Sequence, residues 1–111
     1  MIDDVLNALR QNGITDIAKN GFVALPKSHC FAAWRVVHKS AGGADGYAMY
    51  WKVAYEVRIC YRDNRTADDE EREKTLENAF RGLEDLECDY EYNSDDKLDI
   101  TTYSFSDIVE F

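Results

Sequence analysis

A histidine next to a cysteine is the arrangement in this chain with the clearest chemical potential. His29 precedes Cys30, and an imidazole activates a thiol as a nucleophile where the two side chains meet. The stretch that begins at Cys30 is rich in aromatic and β-branched residues, which favours a strand. Adjacent residues of a strand point to opposite faces. We therefore interpret both as ordinary loop and sheet residues and predict no catalytic residues.

The cysteines and histidines do not form a metal-binding pattern. Cys30, Cys60 and Cys88 are 30 and 28 residues apart, without a Cys-x-x-Cys pair, and His38 lies nine residues after His29. Structural zinc sites and disulfide frameworks use paired or closer spacings. We predict free thiols in a reducing compartment, no metal site and no cofactor.

Three glycines are close enough in sequence to suggest a phosphate cradle. Gly42, Gly43 and Gly46 lie between two predicted strands, whereas phosphate-binding loops lead into a helix. The Asp-Gly pair in the same segment is a strong hairpin signal. We therefore predict a hairpin loop over residues 40–46.

Basic and aromatic side chains of this hairpin resemble a stacking platform for nucleic acid. The chain as a whole has 13 Lys and Arg against 22 Asp and Glu, a formal net charge of −9. That charge opposes attraction to a phosphate backbone. We predict no sequence-specific nucleic-acid binding. The basic and aromatic residues of this platform are Trp34, Arg35, Lys39, Tyr50, Lys52, Arg58 and Arg62.

The charge is divided unevenly along the chain. Residues 1–62 hold 8 basic and 5 acidic residues, a net charge of +3, and residues 63–111 hold 5 basic and 17 acidic residues, a net charge of −12. These charges either decorate solvated faces or meet between neighbouring subunits, in head-to-tail contacts that close into rings. The candidate subunit-interface residues are Arg35, Lys39, Gly43, Asp45, Lys52, Arg58, Asp69, Glu73 and Glu77.

Length and hydropathy limit the organisation of the chain. With 111 residues, we predict a single domain over residues 1–111. The N-terminus has neither the positive nor the apolar region of a secretory signal. No apolar run approaches the roughly 20 residues of a membrane span. We expect neither secretion by a signal peptide nor membrane insertion.

Apolar residues at helical spacing predict two helices. The first covers residues 2–12, and the pattern continues over residues 14–18. The second begins at Thr66, which with Asp69 resembles a capping box, and its apolar stripe covers residues 76–86.

Residues 47–62 alternate between two kinds of side chain. The odd positions from Tyr47 to Tyr61 are all apolar or aromatic, whereas the even positions include Lys52 and Glu56. This period of two predicts a half-buried antiparallel strand. At about 3.3 Å per residue it would be about 50 Å long, so it must twist strongly, contain a bulge or project past the body of the domain.

The apolar residues of the last predicted strand change parity halfway along it; they are Leu98, Ile100, Tyr103 and Phe105. A bulge near Thr101 would bring all four onto one face. Tyr90 and Tyr92 of the preceding strand are predicted to face inward.

The predicted fold is therefore α+β, in the order α-β-β-β-α-β-β. An antiparallel or mixed sheet of four to five strands carries both helices on one face. The predicted strands cover residues 22–25, 30–39, 47–62, 88–93 and 97–105.

The layout resembles the tail terminator (tail completion, minor tail) proteins of long-tailed phages and prophages. Residues 22–26, 30–34 and the long strand 51–61 carry the resemblance, together with the charged helix from Thr66 and the closing hairpin that ends in residues 103–105. The resemblance implies a virion structural protein that forms a ring, typically a hexamer, at the end of the tail tube. It implies tail-tube and head-completion proteins as partners, no catalytic residues, and a location in the virion or the bacterial host cytoplasm.

Two other functions are compatible with the sequence. The first alternative is a non-enzymatic acidic protein-binding module, of the inhibitor or immunity type, that presents residues 68–91 to a basic partner. The second is a small enzyme or ligand-binding dimer, although no site residues converge in sequence.

Overall fold

The helices and strands follow one another along the chain in the order predicted from the sequence, α-β-β-β-α-β-β. The computed structural model describes residues 2–111 and shows an α+β fold with two helices and a five-stranded sheet in that part of the chain. The helices are α1 (Ile2–Gln11) and α2 (Ala67–Phe80). The strands are β1 (Ile17–Lys19), β2 (Cys30–Ala44), β3 (Tyr47–Arg62), β4 (Glu84–Asn93) and β5 (Leu98–Glu110).

The sheet is mixed but mostly antiparallel. Its strand order is β1-β2-β3-β5-β4. The short strand β1 runs parallel to β2, and the other neighbouring pairs are antiparallel. Strand β3 is therefore central, with long partners on both sides.

The main core lies between the two helices and one face of the sheet, as predicted. The alternation of β3 turns its apolar odd positions toward the helices, where burial of each large apolar side chain contributes about 1.5–3 kcal/mol. Both helices contribute apolar stripes to this core. Its buried residues include Val5, Leu6, Leu9, Val53, Tyr55, Val57, Ile59, Tyr61, Leu76, Phe80, Tyr103 and Phe105.

A second, smaller apolar cluster lies on the opposite face, and it corrects the predicted bulge in the last strand. The register of β3 with β5 is continuous from Leu98 to Glu110. The side chains of Leu98 and Ile100 therefore point away from the helices and pack with Phe31 and Cys60. The segment 20–29 covers this cluster through Phe22, whose ring meets that of Phe31 edge to face at 5.6 Å.

The N-terminal connection differs from the prediction. The predicted helical continuation over residues 14–18 and the strand over residues 22–25 are wrong. Helix α1 ends at Gln11, and an extended chain follows in which Ile14 is buried and Ile17 packs against the core. The spacing of Ile14 and Ile17 suggests a helix. Pairing of residues 17–19 with β2 makes this segment a strand instead.

Two expectations for the C-terminal half are also wrong. Helix α2 ends at Phe80, so Leu83 and Leu86 reach the core from the following turn and from β4. Tyr90 and Tyr92 are exposed, because β4 is the edge strand of the sheet. The apolar stripe thus predicted correctly that Leu83 and Leu86 pack against the core, but they do so from a turn and a strand and not from the helix.

The β2–β3 hairpin is longer than predicted, because its loop is a two-residue turn. Asp45 and Gly46 have φ angles of 55° and 76°, as both central residues of a type I′ turn require. Strand β2 therefore continues to Ala44, through most of the predicted loop 40–46. Register shifts between Val36 and His38, and between Gly42 and Gly43, interrupt its pairing with β3.

The end of this hairpin lies beyond the helices. Along the helix-facing side of β3, the exposed fraction rises from 4% at Val53 to 59% at Met49, where the register with β2 shifts. Strand β5 accompanies the hairpin as far as Glu110, opposite Tyr50. We call residues 37–52 together with residues 106–111 the arm. Of the three explanations for the long strand, the structure thus shows an irregularity at Met49 of β3 itself, a second one in its partner β2, and an exposed extension.

The arm depends on a close backbone approach at Gly43. A Cβ atom there would overlap the carbonyl oxygen of Tyr47. We expect Gly43→Ala to lower the free energy of unfolding by about 1–3 kcal/mol, the usual cost of overpacking, in urea titrations. Gly82→Ala is the matched control, because a Cβ at Gly82 meets no atom within 4 Å. Equal stabilities of the two variants would contradict this account of the hairpin.

Candidate subunit interface

The histidine–cysteine pair is not a nucleophile. The Nε2 atom of His29 lies 2.7 Å from Oδ2 of Asp69, so the imidazole faces a carboxylate. Burial raises the pKa of Cys30 to about 12, although the nearby Arg72 lowers it in part. Its thiol therefore stays protonated at neutral pH. Cys60 is also buried, Cys88 is exposed, and all three are free thiols.

Asp69, a predicted interface residue, is instead a buried cap of helix α2. Its Oδ2 atom accepts a hydrogen bond from the Thr66 backbone N–H at 2.8 Å, and the Thr66 hydroxyl accepts one from the Asp69 N–H at 3.2 Å. This is the predicted capping box. Arg72 also contacts the carboxylate. Burial acts to raise the pKa of Asp69, but the hydrogen bonds from Thr66 and His29 outweigh it, and the pKa lies below its ordinary value.

Glu73, a second predicted interface residue, lies between α2 and the sheet. The hydroxyls of Tyr61 and Thr101 both donate to its Oε2 atom at 2.7 Å. Nη1 of Arg65 lies 3.8 Å from its other oxygen. Burial, and then the bond to Glu73, raise the pKa of Tyr61 far above its usual range.

Glu77 continues the same row one turn further along. Its carboxylate accepts a hydrogen bond from the Tyr103 hydroxyl at 2.6 Å, and burial together with this bond raises the pKa of Tyr103. Asp69 and Glu73 are only 2% and 3% exposed, and Glu77 is half-buried. The prediction that Asp69 and Glu73 face a neighbouring subunit is therefore wrong.

A sequence signal for this arrangement exists. Residues 69, 73, 76 and 80 follow a 4-3-4 spacing, which places them on one helix face. The two carboxylates at residues 69 and 73 therefore share the inward stripe of Leu76 and Phe80. Their hydrogen-bond donors come from distant strands, which the helix sequence does not reveal.

The basic candidates lie on the sheet surface and pair with acids of the neighbouring strand or, across β5, of β4. Arg35 contacts Glu56 at 3.2 Å across β2 and β3. The other two pairs are Lys52 with Asp85 at 2.9 Å and Arg58 with Glu91 at 3.0 Å. These groups remain solvent-accessible, so a neighbouring molecule can exchange with their partners.

The remaining candidates belong to the arm. The ammonium group of Lys39 lies 4.7 Å from the centre of the Trp51 ring. Gly43 and Asp45 lie at the end of the hairpin, in the close approach and the turn described above. These two and the four basic candidates thus all lie on the hairpin, whereas the three acidic helix residues face the interior.

The helix-facing side of the arm carries a group of exposed apolar residues beside Lys39. The Trp51 and Phe111 rings are 5.4 Å apart, and Val109 lies opposite Trp51 in the sheet register. Met49 extends this surface toward the turn. Scattered exposed apolar residues are ordinary, whereas a contiguous group marks an interaction site.

A cleft near the start of α2 does not resemble a ligand site. It has a volume of about 360 Å³ and is open to solvent. The guanidinium of Arg65 lies 4.5 Å from the Tyr90 ring and 3.7 Å from Glu70, whereas its buried Nε atom has no hydrogen-bond partner. Within residues 2–111, no three His, Cys, Asp or Glu side chains are grouped as metal ligands.

Comparison with known proteins gives no family assignment. No known protein family matches the sequence, and no curated protein matches it significantly. Neither α1 nor α2, the helices of the described chain, is long and apolar enough to cross a membrane.

Removal of the Glu73 carboxylate should weaken the packing of α2 on the sheet. Glu73→Ala leaves two buried hydroxyls without their acceptor and removes the buried carboxylate beside Arg65, and we expect a loss of about 3–5 kcal/mol in the free energy of unfolding. Glu70→Ala, which removes the exposed partner of Arg65, should cost less than about 1 kcal/mol. Chemical denaturation of both variants checks this, and similar losses would contradict the anchoring role.

Asp69 should make the protein sensitive to acid. Its folded-state pKa lies below the ordinary value of 3.8, so the unfolded chain binds the proton first as the pH falls. The stabilisation by the ionised Asp69 is complete above about pH 5 and is lost as the pH falls through the folded-state pKa. Unfolding of Asp69→Asn should therefore depend less on pH below about 4 than that of the wild type. Asp68→Asn, at the exposed position before it, is the matched control for the same substitution in the same helix turn.

Proposed function

We propose that this chain is a structural subunit of a phage or prophage tail, of the tail terminator or tail completion kind. In this proposal the subunits form a ring at the end of the tail tube. The observation that carries it is the arm, a three-stranded extension with an uncovered apolar face. The predicted element order α-β-β-β-α-β-β is present, although the segment 22–25, which also carries the resemblance, is not a strand.

The arm has the properties of an assembly element. Its apolar face continues the core face of β3 without a break, so a surface packed against it would extend an existing core. The turn and the close approach at Gly43 fix the shape of its end. In a monomer no helix covers the apolar face of the arm, so the arm adds no buried apolar area. A neighbouring subunit that packed on this face would bury it, and the assembly would be stabilised by the hydrophobic effect.

A ring requires contacts between two different surfaces of each subunit. Such heterologous contacts close when the rotation between successive copies divides a full turn. The arm supplies one surface, and the body of the domain supplies the other. A stable interface buries at least about 500 Å² on each partner. The molecule is elongated, with extents of 52, 29 and 21 Å, so the arm and the body can each offer a separate surface to a neighbour in the ring.

The acidic binding module is the second candidate. Strand β4 favours it, because five of its ten residues are acidic and none is basic. The inward orientation of Asp69 and Glu73 weakens it, since these carboxylates do not contribute to the surface. A basic partner bound at equal stoichiometry to a monomeric protein would support this function over the ring.

Multi-angle light scattering tests the proposal directly. We expect a mass several times the monomer mass of 12.8 kDa at high protein concentration, and ring-shaped particles on isolated tail tubes in electron micrographs. Met49→Asp places a charge on the apolar face of the arm and should shift the protein toward monomer. Val23→Asp, at an exposed position outside the arm, is the control. A monomer at high concentration and low salt, with no ring on tail tubes, would refute the proposal.

A further inference from the structure

Both edges of the sheet have unpaired stretches. On one side, β1 pairs only with residues 32–34 of β2, so residues 35–44 have no outer partner strand in the described chain. On the other side, β4 pairs with β5 alone. Unpaired backbone N–H and C=O groups at such edges are templates for another strand.

The two edges carry opposite charge. Residues 35–44 include Arg35 and Lys39 and no acidic residue. Strand β4 has five acidic residues and no basic one. The two edges therefore attract each other by net charge, whereas contact of either edge with its own copy joins like charges. Lys39 and the acids Glu87, Asp89 and Glu91 point to opposite faces of the sheet, so the charge favours the partner but does not set the register.

The strand directions also fit. Strands β2 and β5 are both antiparallel to β3, so they run the same way, and β4 is antiparallel to β5. Cys88 of β4 lies level with Trp34 of β2 across the sheet, so a second copy must be displaced along the strands to bring its β4 beside residues 38–42. Rotation of the second copy about an axis inclined to the strands gives this displacement and keeps the strand directions, as strand tilt staggers the register of a closed barrel. Its β4 then runs antiparallel to β2 of the first copy, and the antiparallel sheet continues from one molecule into the next.

Irregularities confine this contact to short segments. Strand β2 is regular between its two register shifts, from His38 to Gly42. Strand β4 is regular from Glu87 to Asn93, beyond its own register shift. Bulges of this type prevent open-ended edge pairing, so the two segments suit a short contact with a defined register.

We infer that residues 38–42 of β2 pair edge to edge with residues 87–93 of β4 in the next copy of this chain. The inference rests on the proposed ring and specifies its contact. Each subunit offers one basic and one acidic edge, so closure of the ring pairs these two segments in every copy. The partner is a second copy, because the chain itself contains both complementary edges.

Disulfide trapping tests the pairing, because β4 already contains an exposed cysteine. Cys88 lies opposite Tyr103, so its side chain is on the helix-facing side of the sheet. Ala41 and Lys39 lie opposite Trp51 and Val53 and share that side. Opposed Cβ atoms on neighbouring strands are about 4.5–5.5 Å apart, close to the separation that a disulfide bridges.

We expect Ala41→Cys or Lys39→Cys to form Cys88-dependent, disulfide-linked multimers under mild oxidation. Two positions are used because a shift of two residues in register exchanges one for the other. Ser40→Cys is the matched control, since Ser40 lies opposite Lys52 and faces the other side. It should cross-link several-fold less, and adding Cys88→Ser should abolish the ladder on non-reducing gels. Circular dichroism verifies that each variant folds.

The outcomes separate this inference from the proposed ring. Multimers with cross-links confined to Ala41→Cys or Lys39→Cys support both. Multimers without cross-links, or with equal cross-linking of Ser40→Cys, overturn the edge pairing and leave the ring intact. A protein that stays monomeric at high concentration and low salt, and does not cross-link, overturns both.

Discussion

The hydrogen bonds that Tyr61 and Thr101 donate to the buried Glu73 carboxylate hold helix α2 in place on the sheet. An ionised carboxylate is costly to bury unless its oxygens are satisfied. Only one position of α2 places Glu73 beside these two hydroxyls, which come from β3 and β5. The helix has a short apolar stripe, so this polar contact contributes most to the specificity of its position.

The same helix connects the two faces of the sheet. Its first turn holds His29 through Asp69, and Arg62, at the end of β3, contacts the backbone of Ser28 and Pro26. These contacts fasten the segment 20–29, which covers the cluster of Phe31 and Ile100 on the opposite face. Polar contacts of α2 and of Arg62 therefore hold the elements that cover both apolar clusters. No helix lies over the arm.

This arrangement changes what the uneven charge means. Two of the acidic residues of segment 63–111, Asp69 and Glu73, are buried and hold α2 in position. Strand β4 carries five acidic residues and no basic one, and the basic surface lies along the β2–β3 hairpin. Lys52 and Arg58 of β3 pair with Asp85 and Glu91 of β4 within the molecule, so the charges separated along the sequence partly meet in space. The unpaired part of β2, with Arg35 and Lys39, lies on the other side of the sheet from β4.

The sequence by itself determined the element order, the capping box, the long alternating strand and the helix-facing core, because each depends on local periodicity or on neighbours a few residues apart. Only the tertiary structure decided that Ile17 belongs to a strand, that Leu98 and Ile100 face away from the helices, and that Asp69 and Glu73 point inward. Each of these depends on a partner about 10 to 40 residues away, such as β2 for Ile17 or Tyr61 and Thr101 for Glu73. A carboxylate on a helix looks the same in sequence whether it meets water or a buried hydroxyl, and the burial that distinguishes them exists only after the strands have paired.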